Sequence, residues 1–310
     1  MKILISSVGT ATSVNLIKYF KKLNDYIIGT DINPMGYTAG SMMVDKFFTV
    51  PYAVDENYIS SIVEIIRNND IELFIPVNDT EVYIVSKEID QIPCKCIVPD
   101  TATIDLLRDK FECSQRMIKS GIDVPSILEC DDMGLVRILR DKVGVGSSGI
   151  SFFERGIGIK SYDKTTQFIQ EKVSGEEYTV DVLSDCDGKP LYIIPRKRIE
   201  VKSGVATKVL VDDEKGIIDR VKIILETIKL PGFSNIQFIK DRVGKYWFIE
   251  INYRFSGCGA ATLATCPGYL DVFKDIVLGK EINTELNHDV RWNSIVTRYY
   301  EEFVYNADIS

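Results

Sequence analysis

Residues 246–257, YWFIEINYRFSG, carry a carboxylate, an amide and a guanidinium at every second position: Glu250, Asn252 and Arg254. The surrounding residue types favour a β-strand. Side chains on a strand alternate between two faces. The three polar residues therefore share a face with Phe248, and Trp247, Ile249, Ile251, Tyr253 and Phe255 form the other. The preceding segment NIQFIK, joined through the turn KDRVGKY, reads as the hairpin partner and contributes Gln237. Glu250, Asn252 and Gln237 are oxygen donors with no His or Cys among them. Such a set suits a hard cation, Mg²⁺ or in its place Mn²⁺. Mg²⁺ keeps few protein ligands and completes its shell with water and phosphate oxygens. Arg254 is spaced to meet those phosphates. A polar strand face open to water is the plain alternative. The apolar flanks argue against it, because a buried, unpaired Glu is costly.

Other segments are weaker taken singly. RDKVGVGSSG, 140–149, offers three glycines and two serines between strand-like segments. Its backbone N–H groups could fold over polyphosphate, although it lacks the P-loop pattern. SSVGTATSVN, with Asp31 ending the next strand, has one glycine where a dinucleotide fingerprint needs three. A tight turn explains Gly9 equally well. PVNDTEV ends a strand at the edge where open α/β sheets bind ligands; a helix N-cap by Asn78 or Asp79 is the plainer reading. The chain contains one histidine, His288, so histidine triads and zinc catalysis are excluded. Chemistry must rest on carboxylates, amides, Lys, Arg and a bound metal.

The elements that would position these residues fall into two patterns. Short strands at KILISS, YIIGTD, KFFTVP, IELFIPV and KCIVP alternate with amphipathic helices. This grammar predicts a parallel sheet covered on both faces, a Rossmann-like unit over residues 1–99. TATIDLLRDKFECSQRMIKSG then reads as one helix with Ile104, Leu107, Phe111 and Ile118 on one side. From about residue 135 to 255 strands and turns dominate, interrupted by the helix GIIDRVKIILETIKL. The fold class is α/β plus α+β. At 310 residues the chain is too long for one ordinary core. The net charge of −8, with no dense Lys/Arg stripe, argues against a nucleic-acid footprint. Seven cysteines without a CxxC pair read as free thiols of a cytoplasmic protein. No apolar run reaches the roughly 18 residues of a membrane span.

In this order the pieces resemble the ATP-grasp superfamily, and most of all the ATP-grasp domains of carbamoyl-phosphate synthase large subunits and related carboxylate–amine ligases. The resemblance covers nearly the whole chain. It implies a Rossmann-like pre-ATP-grasp domain (1–99), a two-subdomain ATP-grasp fold (100–285) and a C-terminal tail (286–310). The nucleotide-gripping subdomain, about 110–175, is shorter than in relatives. Residue by residue, Lys110 and Arg140 correspond to nucleotide contacts, and GVGSSG, with Gly144, Gly146, Ser147 and Ser148, to the loop covering the phosphates. QEKVSGEEYTVDV corresponds to the hinge that reads adenine, with Glu171 and Val173 acting by main chain and Glu177 meeting the ribose. Gln237, Glu250 and Asn252 match metal ligands, and Arg254 the phosphate contact after them. In PRKRIEVKSG, Lys197 or Arg198 would face the acyl-phosphate and acceptor region. Asp141 stands where the family usually has Pro.

The resemblance implies an ATP- and Mg²⁺-dependent ligase. A carboxylate would be activated as an acyl-phosphate for attack by an amine, both being small molecules, and the family's habit of dimerising implies a homodimer. A non-catalytic ATP-binding regulator is the first rival reading. A dinucleotide-dependent oxidoreductase, disfavoured by the single-glycine turn, is the second.

Overall fold

The computed structural model describes residues 1–144, 149–202, 204–282 and 285–306. At the N-terminus, strands β1 (Lys2–Ile5), β2 (Tyr26–Asp31), β3 (Lys46–Thr49) and β4 (Leu73–Ile75) alternate with helices α1 (Ala11–Lys22), α2 (Ala39–Met43), α3 (Tyr58–Asn69) and α4 (Asp79–Lys87). The strands form a parallel sheet in the order β3-β2-β1-β4. A fifth strand expected at 95–99 is reduced to a single bridge, Leu73 to Lys95. α1 buries Leu16, Ile17 and Phe20 on one side of this sheet, and α3 buries Ile59, Ile62 and Ile66 on the other.

The helix expected over 101–121 is two helices, α5 (Thr101–Arg108) and α6 (Lys110–Lys119). Asp109 between them is extended, and its carboxylate accepts the N–H groups of Phe111 and Glu112. An N-cap thus starts a new helix in mid-run. Ile118 falls on the exposed side rather than in the expected apolar stripe. The break also sets Lys110 at the start of α6, where its N–H donates to Lys142 O at 2.7 Å.

Two antiparallel sheets follow. The smaller comprises β5 (Ile127–Leu128), β6 (Arg137–Asp141), β7 (Ile150–Phe153) and β8 (Gln167–Glu171) in the order β5-β8-β6-β7. The larger comprises β9 (Glu176–Ser184), β10 (Pro190–Lys202), β11 (Val205–Val211), β12 (Gly232–Lys240), β13 (Tyr246–Asn252) and β14 (Ser294–Thr297) in the order β13-β12-β9-β10-β11-β14. Helices α7 (Lys215–Thr227), α8 (Ala260–Thr265) and α9 (Tyr269–Val277) complete the chain. One face of the larger sheet, through Tyr178, Val180, Phe238, Phe248 and Ile251, packs on α7, α5 and α6. On the opposite face, Leu183, Tyr192, Ile194 and Phe233 share a core with α1, α8 and α9. The rest of that second face is polar and carries the candidate site. Among the described residues no helix is long and apolar enough to cross a membrane.

The hairpin of β12 and β13 departs from strict alternation. Gln237 pairs with Glu250, but Phe238 pairs with Phe248, so Ile249 is an extra residue. This β-bulge turns Phe248 and Ile251 to the same, core-facing side. Phe248 therefore does not share the polar face as expected; it packs edge-on to Phe238 with centroids 6.1 Å apart. Glu250 and Asn252 keep the face that the sequence pattern assigned to them.

Candidate active site

Two rows of polar side chains cross the open face of the larger sheet. In the first, Glu250 lies opposite Gln237, Gln237 opposite Thr179, and Thr179 opposite Arg196. In the second, Asn252 lies opposite Asn235, and Asn235 opposite Asp181. Asn252 Nδ2 donates to Glu250 Oε1 at 3.3 Å and to Asn235 Oδ1 at 3.2 Å. Both bonds use the amide nitrogen, which leaves the Asn252 amide oxygen for a ligand, while the second Glu250 oxygen faces Arg140. The donors are oxygen only, and one carboxylate with two amides fits a hard cation that takes its remaining ligands from water and phosphate. Among the described residues no three His, Cys, Asp or Glu side chains cluster as a metal site. The fit therefore rests on this mixed carboxylate–amide set.

Cations converge on Glu250 from the smaller sheet and from α6. Arg140, 4% exposed, sends Nη2 to within 3.7 Å of Glu250 Oε2 and donates from Nη1 to Gln170 Oε1 at 3.1 Å. Its guanidinium also lies 5.7 Å from the centre of the Phe168 ring. Lys110 Nζ donates to Gly144 O at 3.0 Å. Burial lowers the Lys110 pKa; Glu250 opposes that shift and Arg140 adds to it. Burial likewise lowers the Arg140 pKa against the pull of Glu250. Lys110 and Arg140 both feel the Glu250 carboxylate, and Asp141 and Asp79 also act on Lys110. Behind Glu250, burial pushes the Cys113 thiol up to about 12, with Glu250 the next cause, so it is inert at neutral pH. Arg254 Nε meets Asp79 Oδ1 at 3.1 Å across the junction with the N-terminal sheet. Asp79, Lys110, Gly144, Glu250 and Asn252 line a common cleft that is open to solvent.

Glu171 and Val173 lie at the end of β8 and in the linker after it, and the basic strand is arranged differently from the sequence expectation. Glu171 ends β8; its N–H donates to Ser126 O at 2.8 Å and its carboxylate accepts from Ser126 Oγ at 2.9 Å. Val173 is half-buried in the linker to β9. Glu177 and Arg198 were assigned to opposite ends of the nucleotide, yet they form an ion pair at 2.9 Å. They lie level with Ile239, two residues along the strands from the Gln237–Thr179 row and on the linker side of it. Lys197 lies opposite Tyr178, whose face packs on α7, and pairs with Glu176. Strand alternation therefore puts Lys197 on the face away from Glu250, and places Arg198 beside Glu177. The basic residue in the Glu250 row is Arg196, which sequence reasoning passed over. Three adjacent basic residues in one strand leave its register open, and only pairing with β9 decides which of them faces the site.

Gly144 lies beside Lys110, while Gly146, Ser147 and Ser148 lie outside the described residues. At the edge of β4, Asn78 caps α4 in a capping box with Glu81, and Asp79 supplies the contact to Arg254. The N-cap reading of PVNDTEV therefore holds. The Asp31 carboxylate is consumed locally: it accepts from Gly9 N at 2.8 Å and from Asn33 N and Nδ2 at 3.0 and 2.9 Å. That leaves little for ribose hydroxyls and counts against a dinucleotide reading.

Residues 163–297 match the family described as ATP-grasp in the biosynthetic pathway with Ter operon, and residues 3–97 match the PylC-like N-terminal domain. A D-alanine–D-alanine ligase of Chromohalobacter salexigens is 25% identical over 158 residues, covering 44% of this chain and 48% of that protein. The chain thus matches about half the length of this curated relative. Among solved structures, the biotin carboxylase domain of Hydrogenobacter thermophilus 2-oxoglutarate carboxylase, a dimer in complex with MgADP, ADP and bicarbonate, superposes with a TM-score of 0.72. It is 16% identical and covers 95% of this chain and 73% of that one. Staphylococcus aureus N5-carboxyaminoimidazole synthetase gives 0.69 at 14% identity, over 96% and 79%. These two share the fold. Residues 163–297 thus belong with an ATP-grasp family, the PylC-like match precedes them in chain order, and the fold is shared with these structures along nearly the whole chain.

Proposed function

We propose that the protein is an ATP- and Mg²⁺-dependent ligase that activates a small carboxylate as an acyl-phosphate for attack by an amine. The observation that carries this reading is the Glu250–Asn252–Gln237 platform with Arg140, Lys110 and Arg254 around it. The nucleotide would lie between the two antiparallel sheets, its base toward the linker 172–175 and its phosphates over Glu250. Glu250, Asn252 and Gln237 would hold the metal, which would supply positive charge to offset that of the phosphates; Mn²⁺ is expected to substitute. Arg140 and Lys110 neutralise the phosphates from the side of the smaller sheet, and Arg254 meets the γ-phosphoryl group. A substrate carboxylate oxygen attacks the γ-phosphorus, the bond to the β,γ-bridging oxygen breaks, and ADP leaves. The amine nitrogen then attacks the acyl carbon, the bond to the phosphate oxygen breaks, and phosphate and a proton are released. Positioning and electrostatics suffice for both steps, so no protein nucleophile is required.

The ADP and magnesium of the biotin carboxylase domain dimer support the nucleotide and metal assignments, and we carry its dimeric state over as the expected assembly. The test is calorimetric titration of Mg·ATP into the wild type and Glu250→Ala, followed by a phosphate-release screen over amino acids, small carboxylic acids and bicarbonate. Equal affinity in both proteins would remove the metal assignment. Tight ATP binding with no phosphate released in the screen would favour a non-catalytic binder.

A further inference from the structure

Arg196 is fully buried, yet it lies in the Glu250–Gln237–Thr179 row, three strands from Glu250. Its Nε and Nη2 donate to the two oxygens of buried Asp181 at 2.9 and 2.6 Å, and Nη2 also donates to Ser256 Oγ at 3.0 Å. Thr262 of α8 closes on Asp181 from above. Ser256 Oγ in turn accepts from Cys258 N at 3.3 Å. The guanidinium thereby holds the segment that leaves β13, residues 253–258, against the sheet. That segment carries Arg254, whose carbonyl accepts from Asn235 Nδ2 at 3.0 Å and whose Nη1 donates to Phe255 O at 3.2 Å. The backbone carrying Arg254 is therefore fixed from two directions, through Asn235 and Asn252 from the metal platform and through Ser256 from Arg196, while Asp79 holds the Arg254 guanidinium.

A buried ion pair is a poor stabiliser compared with apolar residues of similar size. Stability alone does not account for a charged pair at this position. Nη1 of Arg196 is moreover buried without a hydrogen-bond partner among the described residues, so the group is not there to saturate a polar core. We propose that Arg196 and Asp181 are a positioning pair that sets Arg254 for the γ-phosphate through Ser256. This rests on the ligase reading above, in which Arg254 meets that phosphate.

The proposal is tested with two nucleotides, neither of which requires the unknown acceptor. Wild type should bind the magnesium complex of a non-hydrolysable ATP analogue about tenfold tighter than Mg·ADP, the value of one charge-assisted hydrogen bond. The double variant Arg196→Met with Asp181→Leu removes both charges and keeps the volume. It should retain Mg·ADP affinity and lose the preference for the triphosphate. Ser256→Ala, which leaves the ion pair intact, should lose part of that preference while remaining folded, and it carries the test should the double variant fail to fold. A merely structural pair would change the melting temperature and leave the triphosphate preference as it is. That outcome, or a wild type that binds both nucleotides equally, overturns the proposal. A wild type that binds neither nucleotide removes the ligase reading itself.

Discussion

At the scale of single residues, the cleft is defined by how protein groups hold its cations. Arg140 leans on Glu250, Arg254 on Asp79, and Lys110 on a carbonyl. Lys110 is the weakest of these holds, and its pKa is lowered by burial. As pH rises through that lowered value the ammonium loses its proton, and with it the attraction for phosphate. Affinity for Mg·ADP should therefore fall on the alkaline side with a midpoint below 10.5, the ordinary lysine value. Lys110→Arg should abolish this limb, because a guanidinium keeps its charge throughout; a limb unchanged in that variant would assign it to another group. The linkage to stability has the opposite sign. Between the lowered and the ordinary value the unfolded chain binds the proton that the folded chain has lost, so the ligand-free protein gains stability from Lys110 as pH rises through that window. The residues proposed to hold metal and phosphate were legible in the sequence because alternation along one strand places Glu250 and Asn252 together whatever their partners do. Arg196 was not, because the facing of β10 depends on its pairing with β9, and Asp79 was not, because its contact with Arg254 spans 175 positions of chain.

At the scale of elements, the joint between the two antiparallel sheets is the linker from β8 to β9. It presses directly on the turn between β12 and β13: a Cβ on Gly175 would lie 2.1 Å from Lys240 O and 2.9 Å from Asp241 Cα. Both are backbone atoms that cannot turn aside. Gly175→Ala should displace the linker, costing about 1–3 kcal/mol as overpacking does. Because Val173 is in the same linker, nucleotide affinity should fall along with the melting temperature. Thermal melts with and without Mg·ADP check both effects; an unchanged nucleotide shift would remove the linker from the base-binding site. The strands flanking this joint were evident from residue type and turn chemistry, since KDRVGKY closes as a hairpin with Asp241 N donating to Lys245 O at 2.9 Å. The bulge at Ile249 was not evident, because neither Gly nor Pro marks it. It follows from fitting Phe248 and Ile251 into one core while Glu250 faces the cleft. The break between α5 and α6 was missed for a related reason. A helical apolar pattern ran through Asp109, and the cap that interrupts it is stabilised by a bridge to Val143 in a distant segment.

At the scale of the whole molecule, the N-terminal sheet and the later elements share their interior. Val8, Leu16, Ile17 and Phe20 belong to the same buried cluster as Leu263, Tyr269, Leu270 and Phe273. At the rim of that cluster the Asp25 carboxylate, 4% exposed, is held by the Met1 ammonium at 2.8 Å and by Lys274 Nζ with both oxygens at 2.8 Å. Asn15 Nδ2 also reaches Gly257 O at 3.3 Å, next to the segment that carries Arg254. An excised 1–99 segment would expose one side of α1, and Asp25 would lose Lys274. We therefore expect 1–99 alone to show no cooperative thermal transition, and the full chain to unfold in one step for both parts. Asp25→Ala tests the same coupling within the intact chain. It leaves two ammonium groups facing each other beside an apolar core and should cost about 3–5 kcal/mol, as breaking a buried pair does. Lys274→Met leaves Asp25 paired with the N-terminus and should cost less. Two calorimetric transitions in wild type, or equal costs for the two variants, would mean that the N-terminal unit stands independently and meets the cleft only through Asp79.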